Sequence, residues 1–299
     1  MRMWKLFIVL VITILCVSSG FSQTGLSTLK ISNGANPAGM ASAVSSFNER
    51  PDYTAYNPAS AVGIDKFTAS FGHTSYWENV NLESVYFGKH LKGKTYFHGG
   101  IRFASIDNLE LRSFIPTADP TGQFDANDLS FKTGIAYMFS EKLTFGVAMG
   151  WFIEKIEAWR GSAFNVDFGL LYKYDDKINI GASAVNIGSD FQLSKTGEGK
   201  SDEIPLPKTY RFGLSYKYQK YTGALDLVHV DDKAHLHIGA EGKIHPMFTI
   251  RSGYMLNYDS KNFTAGVSFI KRNIEIDYAF VPFSNELGTA HIFNFSFSL

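Results

Sequence analysis

Hydrophobic and polar residues alternate with a period of two along most of this chain. That spacing places apolar side chains on one face of a β-strand. From Lys66 onward the pattern predicts fourteen strands, over 66–74, 82–90, 95–104, 128–139, 143–154, 163–174, 178–187, 208–218, 221–230, 235–243, 247–256, 262–270, 274–281 and 289–299. In one run Leu143, Phe145, Val147, Met149 and Trp151 alternate with Thr144, Gly146, Ala148 and Gly150. In the last, Thr289, His291, Phe293, Phe295, Phe297 and Leu299 share one face. Such a strand invites aggregation unless both edges are paired and the greasy face meets an apolar medium. The closing strand of a transmembrane barrel meets both conditions.

The connections carry a second regularity. Tight turns at 91–94, 140–142, 175–177, 219–220, 244–246 and 271–273 alternate with others that include long polar loops at 105–127, 155–162, 188–207 and 282–288. Short turns at one end and longer loops at the other, with an even strand number, suit an outer-membrane barrel. The same alternation fits a soluble sandwich or a lipocalin-like barrel, since periodicity does not say which face is inside. The N-terminus separates the two. Arg2 and Lys5 precede an apolar run from Leu6 to Val17, too short to span a bilayer, and Ser18, Ser19 and Gly20 follow it. This predicts a secretory signal peptide over 1–22, an N-terminal plug-like segment over 23–65 and a β-barrel over 66–299, in the outer membrane of a Gram-negative bacterium. The 23–65 segment is rich in small residues, carries Pro37, Pro51 and Pro58, and lacks sustained alternation. It is expected in or under the lumen, with a short helix near 39–44.

Composition removes several alternatives. The only cysteine, Cys16, lies within the predicted signal peptide, so disulfides and thiol catalysis are not expected. Without Arg2 and Lys5, 26 of the 28 basic residues remain against 28 acidic ones, a balance that gives no case for nucleic-acid binding. Motifs for serine hydrolases, zinc peptidases and dinucleotide sites are absent from the sequence. A non-enzymatic protein without cofactors is the reading that follows. His235 and His237 share one strand face with Glu241, but the spacing fixes no further ligand, so no metal site is predicted.

With the apolar face on lipid, the alternate residues line a lumen. They include Arg102, Lys132, Asp167, Arg211, Asp226, His235, His237, Glu241, Arg251, Glu275 and Asp277. Mixed charges on neighbouring strands predict a network of mutual ion pairs among Arg102, Asp167, Arg211, Asp226, Glu241, Arg251 and Asp277. Gly, Ala and Ser are frequent on this face and leave room for a plug. The 105–127 loop carries Leu109, Leu111, Phe114, Ile115 and Phe124 among polar residues, an apolar set suited to binding a protein partner. The alternative is a loop folded over the barrel mouth.

Short motifs in a fixed order add a resemblance. Leu29-Lys30-Ile31, Gly34-Ala35, Gly39-Met40-Ala41 and Asn57-Pro58-Ala59 come first. Ala184-Val185-Asn186-Ile187-Gly188, Leu206-Pro207, Gly239-Ala240-Glu241 and Ile250-Arg251-Ser252-Gly253-Tyr254 follow. Asp277-Tyr278-Ala279-Phe280 and Leu287-Gly288-Thr289-Ala290-His291 close the set. This order resembles the PorV/PorQ family within the FadL-like fourteen-stranded barrels. The resemblance implies an outer-membrane protein tied in some bacteria to type IX secretion, as a cargo shuttle or a surface anchor. Protein binding through the long loops is the leading expectation, with membrane lipid as the surrounding partner. The alternative is FadL-like passive transport of hydrophobic small molecules.

Overall fold

The computed structural model describes residues 27–76, 80–113 and 118–299. The predicted signal peptide lies outside the described residues, as do Phe114 and Ile115. Sixteen hydrogen-bonded segments form one antiparallel sheet, and fourteen of them close into a barrel. We number these β1 (Thr68–Ser75), β2 (Val80–Lys92), β3 (Thr95–Leu111), β4 (Gly122–Met138), β5 (Leu143–Ile156), β6 (Trp159–Lys173) and β7 (Ile178–Gly188). Then come β8 (Thr209–Tyr218), β9 (Tyr221–Val230), β10 (Lys233–His245), β11 (Phe248–Leu256), β12 (Phe263–Lys271), β13 (Ile274–Pro282) and β14 (Thr289–Ser298). Closure comes from β1 and β14, with Thr68 opposite Ser298 and Ser75 opposite His291. The other two segments, Ser194–Lys195 and Gly199–Lys200, make a small hairpin in the β7–β8 connection.

Closure removes every sheet edge and pairs the backbone internally, which lipid requires. The outward face is greasy. Phe145, Val147, Met149, Trp151 and Ile153 on β5 are exposed, while Thr144, Ala148, Phe152 and Glu154 between them are buried. On β14, Phe295 is 43% exposed and Asn294 is 2%. Tyr137, Phe139, Tyr174, Tyr218 and Tyr221 ring the short-turn end, as interfacial aromatics do. Among the described residues no helix is long and apolar enough to cross a membrane. This exterior excludes the soluble arrangement, in which the polar face would meet water.

Two predicted loops are largely strand. Pairing of β3 with β4 continues through Leu109–Phe124 to Leu111–Gly122, past a bulge where Asn108 takes a φ of 60°. Strands β5 and β6 continue to Ile156 and Trp159, so the 155–162 loop shrinks to a turn. Above the lipid belt an outward side chain need not be apolar, so alternation fades while the hydrogen-bond ladder continues.

Residues 34–64 lie inside the barrel. Its short helix is Ala35–Gly39, one turn earlier than expected, because Gly34 supplies a φ of 87° before it and Pro37 fits a first helical turn. Ala41 and Ser42 then take left-handed backbone, which ends the helix. Two 3₁₀ turns follow, at Pro51–Ala55 and Pro58–Ala61, and the Asn57 side chain caps the second by accepting from the Ala59 N–H at 3.0 Å. The wall makes room for this backbone with glycine. A Cβ on Gly181 would lie 2.0 Å from the Ser45 oxygen, and one on Gly146 would lie 2.2 Å from the Ala59 nitrogen.

Candidate functional site

The inner segment runs from the long-loop end to the short-turn end. At the top, Lys30 pairs with Asp231 at 2.7 Å and Thr28 donates to Asp128 at 2.5 Å. Lower down, wall side chains hold its backbone. Asn294 accepts from the Ala35 N–H at 2.9 Å, Thr264 from Ala41 at 3.0 Å and Asp226 from Ser45 at 3.0 Å. At the bottom, His90 donates its backbone N–H to the Ile64 carbonyl at 2.8 Å.

Arg50 is the strongest tie between segment and wall. Its guanidinium lies 2.6 Å from Glu275, 2.8 Å from Asp277 and 3.1 Å from Asp52. Burial opposes its charge, but Asp277, Asp52 and Glu275 together raise Arg50 above the ordinary arginine value. Such an arginine stays cationic at any working pH. Arg251 extends the cluster, 3.1 Å from Glu241 and 3.7 Å from Asp277, with Ser268 between them.

The other predicted lumen charges fall into distinct groups. Asp167 pairs with Lys132 at 2.5 Å and accepts from the Asn186 N–H at 2.7 Å, at a bulge between β6 and β7. Arg211 and Asp226 are 3.8 Å apart. Arg102 forms no ion pair among the described residues and instead donates to the Thr28 carbonyl at 2.5 Å. The seven residues therefore do not form one connected network. Sequence reasoning missed Arg50, Tyr56, Tyr258 and Lys261. Each lies outside the wall strands, where alternation gives no facing.

The segment leaves one large space at each end. The long-loop cavity has a volume of about 1220 Å³. Tyr56, Arg102 and Arg211 lie towards its floor, with the Arg211 guanidinium 5.0 Å from the Tyr56 ring centre. Its wall carries Val228, Val230 and Met255 beside His235 and His237. Tyr258, from the β11–β12 connection, stacks on His235 at 3.9 Å and meets the His237 Nε2 at 2.9 Å. Lys261 sits over the other side of that tyrosine, 5.0 Å from the ring centre. Burial, then Arg211 and Lys30, lower its ammonium pKa to about 8, and burial pushes the Tyr258 hydroxyl up to about 12. Among the described residues no cluster suits a metal ion. A second cavity of about 950 Å³ opens among the short turns, lined in part by Lys142, Lys177 and Glu241.

A roof covers part of the upper mouth. The β7–β8 connection folds inward, with Phe191, Leu193 and Leu206 buried against Phe152 and Ala163. Leu29 and Trp159 complete this packing. The inward-folding loop is thus 189–208. The 105–127 stretch rises as a hairpin whose Leu111 is 46% exposed and whose Leu109 and Phe124 face each other across the ladder.

A closed fourteen-stranded barrel with its lumen occupied by an N-terminal segment has the fold of FadL-type outer-membrane proteins. No protein-family model matches the chain, and no curated protein matches it. Solved structures do. The deltaS2S3 mutant of TodX, a monoaromatic hydrocarbon channel, aligns with a TM-score of 0.68 at 14% identity, over 89% of this chain and 99% of that one. The Pseudomonas putida toluene transporter TodX aligns at 0.64 and 14%, over 93% and 98%. A Pseudomonas aeruginosa FadL homologue aligns at 0.56 and 9%, over 93% and 99%.

Proposed function

We propose that this chain is a passive outer-membrane channel for a compact, largely apolar small molecule, entered from the long-loop side. The observation that carries the reading is the upper cavity of about 1220 Å³, floored by the inner segment and walled by tyrosine rings and aliphatic side chains interspersed with charged groups such as Lys132, Arg211, Asp231 and Lys261. A concave site with apolar lining and a few convergent polar groups is the usual form of a small-molecule site. The likeness to a toluene transporter and a monoaromatic hydrocarbon channel supports it at the level of fold, a weak guide to function by itself. The inner segment closes the path below the cavity, so passage requires that segment to shift.

The test is the initial rate of radiolabelled toluene and benzoate uptake by intact Gram-negative cells with and without the full chain. Expression raises the rate for at least one of these solutes under this reading. Rates that expression leaves unchanged for both solutes, with the barrel folded in the membrane, contradict it.

A second reading keeps the PorV/PorQ resemblance and has the chain bind a protein partner. It rests on the β3–β4 hairpin, which projects above its neighbours with Leu111 exposed. Capture of a partner from solubilised outer membrane, lost on deleting 110–124, is the outcome this second reading requires.

A further inference from the structure

We propose that the upper cavity binds a compact aromatic anion, with its acid group on Arg211 and Lys261 and its ring against the Val228–Val230 wall. This rests on the channel reading above and names the charge and shape of its solute.

The cations on the cavity lining are unequally paired. Lys132, on the same lining, is fully engaged, with Asp167 at 2.5 Å and Asn186 at 2.7 Å. Arg211 is not. Its Nε is buried without a hydrogen-bond partner, and its Nη1 makes only a long contact to the Ser42 carbonyl, 3.3 Å. Its nearest carboxylate, Asp226 at 3.8 Å, already accepts from the Ser45 N–H. Lys261 forms no ion pair among the described residues, and its ammonium rests on a tyrosine face. Half-buried cations with a long ion pair, as at Arg211, or none among the described residues, as at Lys261, are costly, and an anion that completes them recovers part of that cost. His235 and His237 line the same cavity.

Shape limits the rest of the ligand. Val228 and Val230 are neighbours on one strand face, about 7 Å apart. This apolar stretch matches an arene in length. A long acyl chain would run beyond it onto Arg102 and the polar rim, where its methylene groups gain nothing from burial.

The test is calorimetric titration of the purified full chain in detergent with benzoate, with toluene as the neutral analogue and with decanoate. Benzoate is expected to bind at least about tenfold more tightly than toluene. Arg211→Gln and Lys261→Gln are each expected to lose about tenfold for benzoate while leaving toluene unchanged. Lys261 lies in a connection, so its variant reports even if Arg211→Gln misfolds, and heat-modifiability shows that the barrel is intact. Toluene equal to benzoate, decanoate tighter than both, unchanged benzoate binding in Lys261→Gln, or no binding by a folded barrel would each overturn the proposal. The two readings fail separately. Toluene uptake without benzoate preference keeps the channel and rejects the anion site, whereas benzoate binding without uptake does the reverse.

Discussion

Gly181 shows how a single residue connects wall and lumen. The Ser45 carbonyl occupies the space its Cβ would need, at 2.0 Å. Gly181→Ala is therefore expected to cost about 1–3 kcal/mol and to loosen the inner segment, since overpacking at a backbone contact cannot be relieved by a rotamer change. A lower urea midpoint with new protease cuts between 34 and 64 checks this. On the outside, Phe295→Arg puts a charge in lipid and is expected to cost about 2–4 kcal/mol, read as loss of heat-modifiable barrel. Lys261 sets a pH dependence. Its charged form is intact well below about 8 and is lost as pH rises through that value. The charged and titratable groups around it are Lys30, Arg211, Asp231, His235, His237 and Tyr258, and the tyrosine stays neutral with its hydroxyl near 12. Benzoate affinity is thus expected to fall between about pH 7 and about pH 9, and to fall less in Lys261→Gln. An identical fall in both proteins contradicts the assignment.

Among the elements, the inner segment depends most on one residue. Arg50 satisfies Asp52, Glu275 and Asp277 together. Arg50→Ala leaves Asp52 and Glu275 without their cation and Asp277 with Arg251 alone, 3.7 Å away, and removing one partner of a buried ion pair costs about 3–5 kcal/mol. The expected readout in planar bilayers is a higher open probability than the parent, because the tie between segment and wall is cut. Unchanged conductance would mean that the backbone bonds at Asn294, Thr264 and Asp226 hold the segment unaided. Elements also mark where the sequence stops being readable. The lipid belt selects for alternation, so the facing of β5 and β14 is plain from Phe145-x-Val147 and Phe293-x-Phe295. The tops of β3 and β4 leave lipid, and Asp107, Asn108 and Glu110 carry no periodic signature of the strand they extend or interrupt.

Across the whole molecule, strand number and barrel closure follow from spacing, but the cavity does not. Lys261 shares a cavity with Arg211 only because the barrel wall curves the β11–β12 connection towards β8, and nothing local in 257–262 encodes that approach. The glycine and alanine on the inner face did indicate an occupied lumen. They could not say that the Arg50 side chain would complete a wall cluster on β13. At this scale the fold offers two places for activity, the lumen cavity and the projecting hairpin. The most direct measurement compares solute uptake by intact cells carrying the parent, the Arg211→Gln, Lys261→Gln double variant, and a deletion of 110–124, with surface levels matched. The double variant is expected to lose most benzoate uptake while the deletion keeps it. Loss of uptake in the deletion with none in the double variant would contradict this.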